Sequence, residues 1–178
     1  TETVVEVPAA YAALPALPTC YVFRPEVPAD CAPAVDAVAG SPTTSSSTVG
    51  TYAPAWYAAV GWPARLVPPT AALYGMRLVQ AVLFGALLAV AAVGLVRAGG
   101  RRWAFAGLAL AVPPIAVHVA GGVNPSGTEI AAGVALWATS AALLTGARTR
   151  GDLVRWLGAA LVLAVARPLG PLLAVGVP

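Results

Sequence analysis

The chain has 178 residues, of which 59% are hydrophobic and only 10% charged. A soluble domain carries about 25% charged residues, so this composition, with a mean hydropathy of +0.81, excludes an ordinary water-soluble globule and points to a membrane protein. The net charge of +3 is unevenly spread: residues 1–68 are acidic on balance, residues 69–178 strongly basic, and every basic residue is an arginine.

Residues 1–49 show no sustained helical or strand period. Prolines recur at 8, 15, 18, 25, 28, 33 and 42, which excludes long helices because proline lacks the N–H and clashes with the preceding turn. Val4–Val7 and Tyr21–Phe23 read as short strands, Ala9–Ala13 and Ala34–Val38 as one or two helical turns, and Ser41–Thr48 as a flexible polar connector. The only cysteines, Cys20 and Cys31, enclose ten proline-rich residues. A metal pair lacks further ligands here, so the reading is a disulfide in an oxidising compartment. Closing so short a loop stabilises by somewhat under ~3 kcal/mol in the loop-entropy picture. This part is expected to be an irregular extracytosolic segment.

Residues 50–69 change character. Tyr52, Trp56, Tyr57 and Trp62 fall within eleven residues, and aromatics with a polar edge gather at the membrane–water boundary. Two readings stand: an interfacial helix over Pro54–Val60, or a platform on which a sugar or prenyl group stacks.

Four apolar stretches follow. Helix A covers 70–97, with an uninterrupted run Leu78–Val96 in which Gln80 is the one strongly polar side chain. Nineteen residues at 1.5 Å each span about 28 Å, enough for a bilayer core. Helix B covers 103–120 and is kinked at Pro113-Pro114. An external turn at 121–127 leads to helix C at 128–145. Helix D covers 153–166, only 14 residues and short for a span, and 167–178 reads as an external or re-entrant end. The expected fold is therefore all-α integral membrane, with about four transmembrane helices. An exported N-terminal portion needs a signal or an earlier span, and residues 1–50 contain neither, so the expectation is a piece of a larger polytopic bundle.

The arginines orient the bundle. Arg97, Arg101 and Arg102 follow helix A; Arg148, Arg150 and Arg155 flank the connection from C to D. Basic loops stay cytoplasmic, which puts residues 1–68 and the 121–127 turn outside a plasma membrane. The cysteines reach the same side independently. The basic half is not a nucleic-acid surface, because its arginines sit at the ends of apolar runs.

Candidate chemistry concentrates in Val112–Glu129, which holds His118, the only histidine, and Glu129, the only acid between Asp36 and Asp152. Polar groups in an embedded segment are costly and mark functional sites by default. Ser126-Gly-Thr-Glu129 fits a capping box, with Ser126 as N-cap; the alternative makes Glu129 a base, or a ligand for a metal or sugar hydroxyl, at the outer face. His118 reads as a satisfied bundle-facing residue or as a partner of Glu129. Arg77 and Arg167 fall on the outer side, against the positive-inside trend, and read as snorkelling anchors or as a phosphate clamp. No phosphate-cradling glycine loop, Walker motif or Cys/His metal spacing is present, and no cofactor is evident.

Gly50-Thr-Tyr-Ala-Pro-Ala-Trp-Tyr57, Tyr74-Gly-Met-Arg77, Asn124-Pro-Ser-Gly-Thr-Glu129 and Arg167-Pro-Leu-Gly-Pro171, with the paired cysteines before them, resemble domain-of-unknown-function family 2142. These are polytopic membrane proteins common in actinobacteria, and the resemblance covers most of the chain. The family in turn looks similar to GT-C glycosyltransferases, which take sugars from polyprenyl-phosphate donors at the outer membrane face. The resemblance implies an inverting transfer in cell-envelope glycan or lipid synthesis, an acidic residue on a first external loop, and often a divalent metal. On it, Arg77 and Arg167 would hold donor phosphate. Tyr52, Trp56 and Tyr57 would stack on sugar or lipid, and His118, Asn124, Ser126 and Glu129 would line the outer cavity, with Glu129 the candidate catalytic residue. The alternative is a non-catalytic subunit that binds membrane lipid or scaffolds other membrane subunits of an envelope-assembly complex.

Overall fold

The structure is a computed structural model that describes residues 3–32, 34–37, 40–47, 54–100, 102–145 and 148–166. It divides into two compact units: Thr1–Tyr52 with Trp62–Gly75, and Ala53–Gly61 with Met76–Pro178.

The first unit is less irregular than its composition suggests. Strands β1 (Thr3–Val7) and β2 (Thr43–Ser47) pair antiparallel, with Val5 opposite Ser45 and Val4 opposite Ser46. The stretch expected to be a flexible connector thus carries a strand. β-Branched Thr43 and Thr44 favour pleated backbone, and the ladder is satisfied by main-chain groups whatever the side chains. Tyr21–Phe23 corrects the other way: it is a turn, with the Arg24 N–H donating to the Tyr21 carbonyl at 3.0 Å and Phe23 at φ 62°. Helix α1 (Ala9–Ala13) and 3-10 turns at Leu14–Cys20, Ala29–Cys31 and Val35–Ala37 complete the segment. Cys20 and Cys31 are disulfide-bonded, with Cα atoms 6.1 Å apart. The unit also holds a 3-10 turn at Trp62–Arg65 and the start of α3 (Pro69–Arg97). Pro69 occupies the first helical position, where its missing N–H costs nothing, and Asp36 Oδ1 accepts the Thr70 N–H at 3.0 Å.

The second unit is helical: α2 (Pro54–Gly61), the remainder of α3, α4 (Arg102–Ala111), α5 (Pro114–Ala120), α6 (Pro125–Thr145) and α7 (Arg150–Ala166). Helix α3 is rich in alanine and leucine, with no internal proline, and it closes at Gly99. There the Gly100 N–H donates to Leu95 O and the Gly99 N–H to Val96 O. This Schellman closure needs the left-handed φ of 76° that glycine adopts freely. Pro113 then breaks the next apolar stretch, so that α4 and α5 meet at 61°. Among the described residues two helices, α3 and α6, are long and apolar enough to cross a membrane, or three spans if α4 and α5 form one broken span. Helix α7 has 17 residues.

Helix α6 is the hub. Most of its buried residues are small, among them Ala131, Ala132, Ala135, Ala138 and Ala142, with Leu136 the large exception. In a bilayer, lipid removes the usual apolar driving force, and close backbone packing on small residues replaces it. At Gly94 of α3, an added Cβ would lie 2.8 Å from the Ala138 carbonyl carbon. The contacts Gln80–Thr128, Gly94–Ala138 and Ala98–Thr145 show that α3 and α6 run parallel, which requires the α4–α5 stretch to run back between them. Helix α7 returns against α6, its Ala159 and Leu163 joining the same core and Trp156 Nε1 donating to Ser140 Oγ at 2.9 Å.

Candidate functional site

The parallel α3–α6 pair gives the helical unit two ends of different chemistry. At the end where α3 stops and α7 starts, Asp152 is 2% exposed. Arg97 grips it with both prongs of its guanidinium: Nε to Oδ1 at 2.7 Å and Nη2 to Oδ2 at 2.8 Å. Arg155 Nη1 donates to Oδ1 at 2.9 Å. Thr149, just ahead of α7, donates its hydroxyl to Oδ2 at 2.7 Å and accepts the Asp152 N–H at 3.2 Å. The Thr149 N–H also donates to Oδ2. Thr149-x-x-Asp152 is thus a capping box that recruits a partner from the far end of α3. Asp152 precedes the apolar run from Leu153, and its carboxyl is held down at about 2, first by the Arg97 hydrogen bond and then by Thr149. Arg148 Nε donates to Leu143 O and satisfies the last turn of α6.

At the other end the links are neutral. Trp56 Nε1 donates to Thr128 Oγ1 at 2.9 Å, Thr128 donates to Gln80 Oε1 at 3.0 Å, and Gln80 Nε2 donates to the Asn124 carbonyl at 3.3 Å. Trp56, Thr128 and Gln80 are buried. This chain ties α2, α3 and α6 together, and each hydrogen bond replaces one the bilayer cannot supply. It corrects the stacking reading for Trp56, whose ring is packed inside and whose N–H is committed. Tyr57 is partly exposed and meets Trp56 edge-on, with ring centroids 4.9 Å apart.

The start of α6 also differs from the expected capping box. Pro125 is the first helical residue, so Asn124 is the N-cap, its Oδ1 accepting the Ser126 N–H at 2.9 Å. Ser126 therefore lies inside the first turn. Asparagine ahead of a first-turn proline is the stronger start signal, since the proline has no N–H to satisfy.

Glu129, partly buried, lines a groove of about 750 Å³ between α4 and α6. Gly107, Leu108 and Ala111 form one wall, Gly133 and Trp137 the other, and among the described residues Glu129 is the only charged one in the lining. Its size suits a lipid chain or drug-sized ligand. His118 is exposed on α5 and Arg77 exposed on α3, at the Asn124 end. The His118 side chain makes no hydrogen bond or ion pair with another described residue, so the structure does not form the His118–Glu129 pair. Tyr52 and Arg167 lie outside the described residues. Among the described residues no three His, Cys, Asp or Glu side chains converge to hold a metal, so the divalent ion implied by the resemblance finds no fitting donor set there.

Sequence reasoning passed over Gln80, Thr128, Asp152 and Thr149. Thr149-x-x-Asp152 carried the same capping signature as Ser126-x-x-Glu129 and was there to be found.

Against known proteins, no curated protein and no solved structure matches the chain. The model of the family described as "Predicted membrane protein (DUF2142)" matches residues 2–177. With nearly the whole chain covered, it belongs to this family of predicted membrane proteins.

Proposed function

We propose that this chain is the membrane-embedded part of a transferase resembling the GT-C enzymes. It works on polyprenyl-phosphate-linked sugars at the outer face of the plasma membrane, in cell-envelope glycan or lipid synthesis. The observation that carries this reading is the apolar groove between α4 and α6 with one carboxylate, Glu129, on its wall. An apolar trough at bilayer depth takes a lipid chain, and a single acid at a helix start is placed to accept a proton.

Orientation follows from charge. The arginine-rich end, with Arg97, Arg102, Arg148, Arg150 and Arg155, faces the cytoplasm. The Asn124 end, and with it Glu129, Arg77 and His118, faces outward. Helix α7 then serves as the fourth span.

In the proposed reaction an acceptor hydroxyl oxygen attacks the anomeric carbon of the donor. A new C–O bond forms as the bond to polyprenyl phosphate breaks, and the phosphate leaves with the bonding pair. The hydroxyl proton passes to the Glu129 carboxylate. Arg77 holds the donor phosphate, together with Arg167. Tyr57, with Tyr52, offers an aromatic face to sugar or lipid, and exposed His118 lies at the same end. Asn124 and Ser126 shape the start of α6 and so set where Glu129 stands. No step is routed through a metal.

The test is transfer of labelled sugar from a polyprenyl-phosphate donor by membranes carrying the protein, alongside mass spectrometry of lipid that co-purifies in mild detergent. Glu129→Gln should lower turnover 100-fold or so, the scale of a lost general base. Arg77→Ala should release bound polyprenyl-phosphate lipid. Full turnover in Glu129→Gln, with only bulk phospholipid bound to both variants, would instead favour a non-catalytic lipid-binding or scaffolding subunit.

A further inference from the structure

The arginine-rich end of the helical unit carries more positive charge than its own acids answer. The Thr145 hydroxyl donates to Ala98 O at 3.3 Å and ties the ends of α3 and α6 together. The Arg97–Asp152 bond brings the start of α7 to the same place. Helix α4 opens at Arg102, a short turn after Arg97. Arg97, Arg102, Arg148, Arg150 and Arg155 thus share this end with one acid, Asp152, whose oxygens Arg97 and Arg155 already occupy. The Asp152 network itself is closed, and the excess lies around it. The only other acidic side chain in residues 76–178 is Glu129, near the start of α6 at the opposite end. Arg101 lies outside the described residues and, as an arginine, subtracts nothing from the excess. Arg150 is exposed, and its side chain makes no hydrogen bond or ion pair with another described residue. Arg148, also exposed, donates from Nε to Leu143 O at 2.9 Å and makes no other side-chain bond to a described residue. The Arg102 guanidinium lies 5.3 Å from the centroid of the Trp103 ring, which is 74% exposed. Phe105 is exposed as well, and no residue of α4 is buried.

We infer that this end binds anionic phospholipid headgroups through Arg102, Arg148 and Arg150, with acyl chains lying along the exposed apolar side of α4. Arginines at the ends of membrane-length apolar helices stand at headgroup depth. There a guanidinium fork matches phosphate oxygens, and an anionic surface attracts each basic side chain. An acidic protein would match the charge. It would not match the exposed Trp103 and Phe105 beside Arg102, which acyl chains cover. A zwitterionic lipid brings its own cation to the patch and gains less from the arginines. Neither Glu129 nor the groove takes part, so this site is independent of the proposed reaction.

The full chain in mild detergent is offered equal amounts of phosphatidylglycerol and phosphatidylcholine, and retained lipid is counted by native mass spectrometry. Phosphatidylglycerol should be retained about tenfold over phosphatidylcholine, and Arg102→Gln and Arg150→Gln should each cut that preference about fivefold, the effect of one arginine at an anionic surface. Both side chains are exposed and neither pairs with Asp152, so both variants should fold, which an unchanged melting curve verifies. Arg77→Gln removes the same charge at the Asn124 end and should leave the preference intact. Added salt should weaken the preference in the unaltered protein. Inorganic phosphate should displace no more phosphatidylglycerol than chloride does at equal ionic strength. Equal retention of the two lipids would overturn the inference, as would a loss no larger in Arg102→Gln and Arg150→Gln than in Arg77→Gln. Displacement by inorganic phosphate beyond the chloride effect would overturn it in favour of a free anion, and displacement by polyglutamate in favour of an acidic protein.

Discussion

The two ends of the helical unit solve the same problem in different ways. At the Arg97 end a carboxylate is buried, and every one of its acceptor sites is met by a guanidinium, a hydroxyl or an amide. At the Asn124 end the buried links are neutral, and the carboxylate sits on the wall of an open groove. The first arrangement fixes helices and leaves nothing over for a ligand. The second holds helices with dipoles and keeps a charged group within reach of one. Charge alone therefore does not mark a site; what matters for a carboxylate is whether it is open to a cavity.

The sharpest way to break this contrast is Asp152→Asn. It strands Arg97 and Arg155 without a counter-charge, and the thermal midpoint in detergent should fall further than for any other change named here. Removing Arg97 as well should restore part of the loss, because the penalty lies in the unpaired charge. Next comes Gln80→Leu, which leaves the Asn124 carbonyl and the Thr128 hydroxyl short of a partner. It should cost about 1–3 kcal/mol in a detergent unfolding titration, with Trp56 fluorescence reporting the loosened end. Acid supplies a gentler probe. The Asp152 carboxyl titrates at about 2 in the fold against an ordinary 3.8. Its contribution is therefore complete above pH ~4 and lost as pH falls through ~2. Melting should be flat from neutral pH to about 5 and should drop below 4, a drop absent in Asp152→Asn. The smallest effect on stability belongs to Glu129→Gln, about 0.5 kcal/mol from the α6 dipole, although its effect on turnover should be large. Comparable stability losses from Glu129→Gln and Asp152→Asn would erase the distinction between the two ends.

The helices were legible because their signals are local. Runs of apolar residues, arginine-bearing turns, the Pro113-Pro114 break and the Cys20–Cys31 bond all declare themselves within a few positions. What stayed hidden depends on distance. Strand β2 is polar, and its partner lies some forty residues earlier. Gln80 looked like a blemish in a span until Thr128 met it. Trp56 carried the composition of an interfacial aromatic, and only tertiary packing made it internal. Glu129 stood out by its isolation in the sequence, and in the structure it lines the groove between α4 and α6. Asn124 was overlooked as a cap because the Ser126-x-x-Glu129 pattern drew the start of α6 two residues too late.

The Arg97–Asp152 bond also has a place in time. Its two ends lie 55 residues apart, and at about 5–20 residues per second of synthesis the arginine waits roughly 3–11 s for its acid. During that interval α4, α5 and α6 are made, and the end of α3 carries a positive charge that Asp152 has yet to meet and that resists being drawn into the bilayer. Arrival of α7 cancels it. A single ion pair thus reports that the last described helix has taken its seat, and a chain stalled before Thr149 would expose the arginine to whatever machinery recognises unfinished membrane proteins.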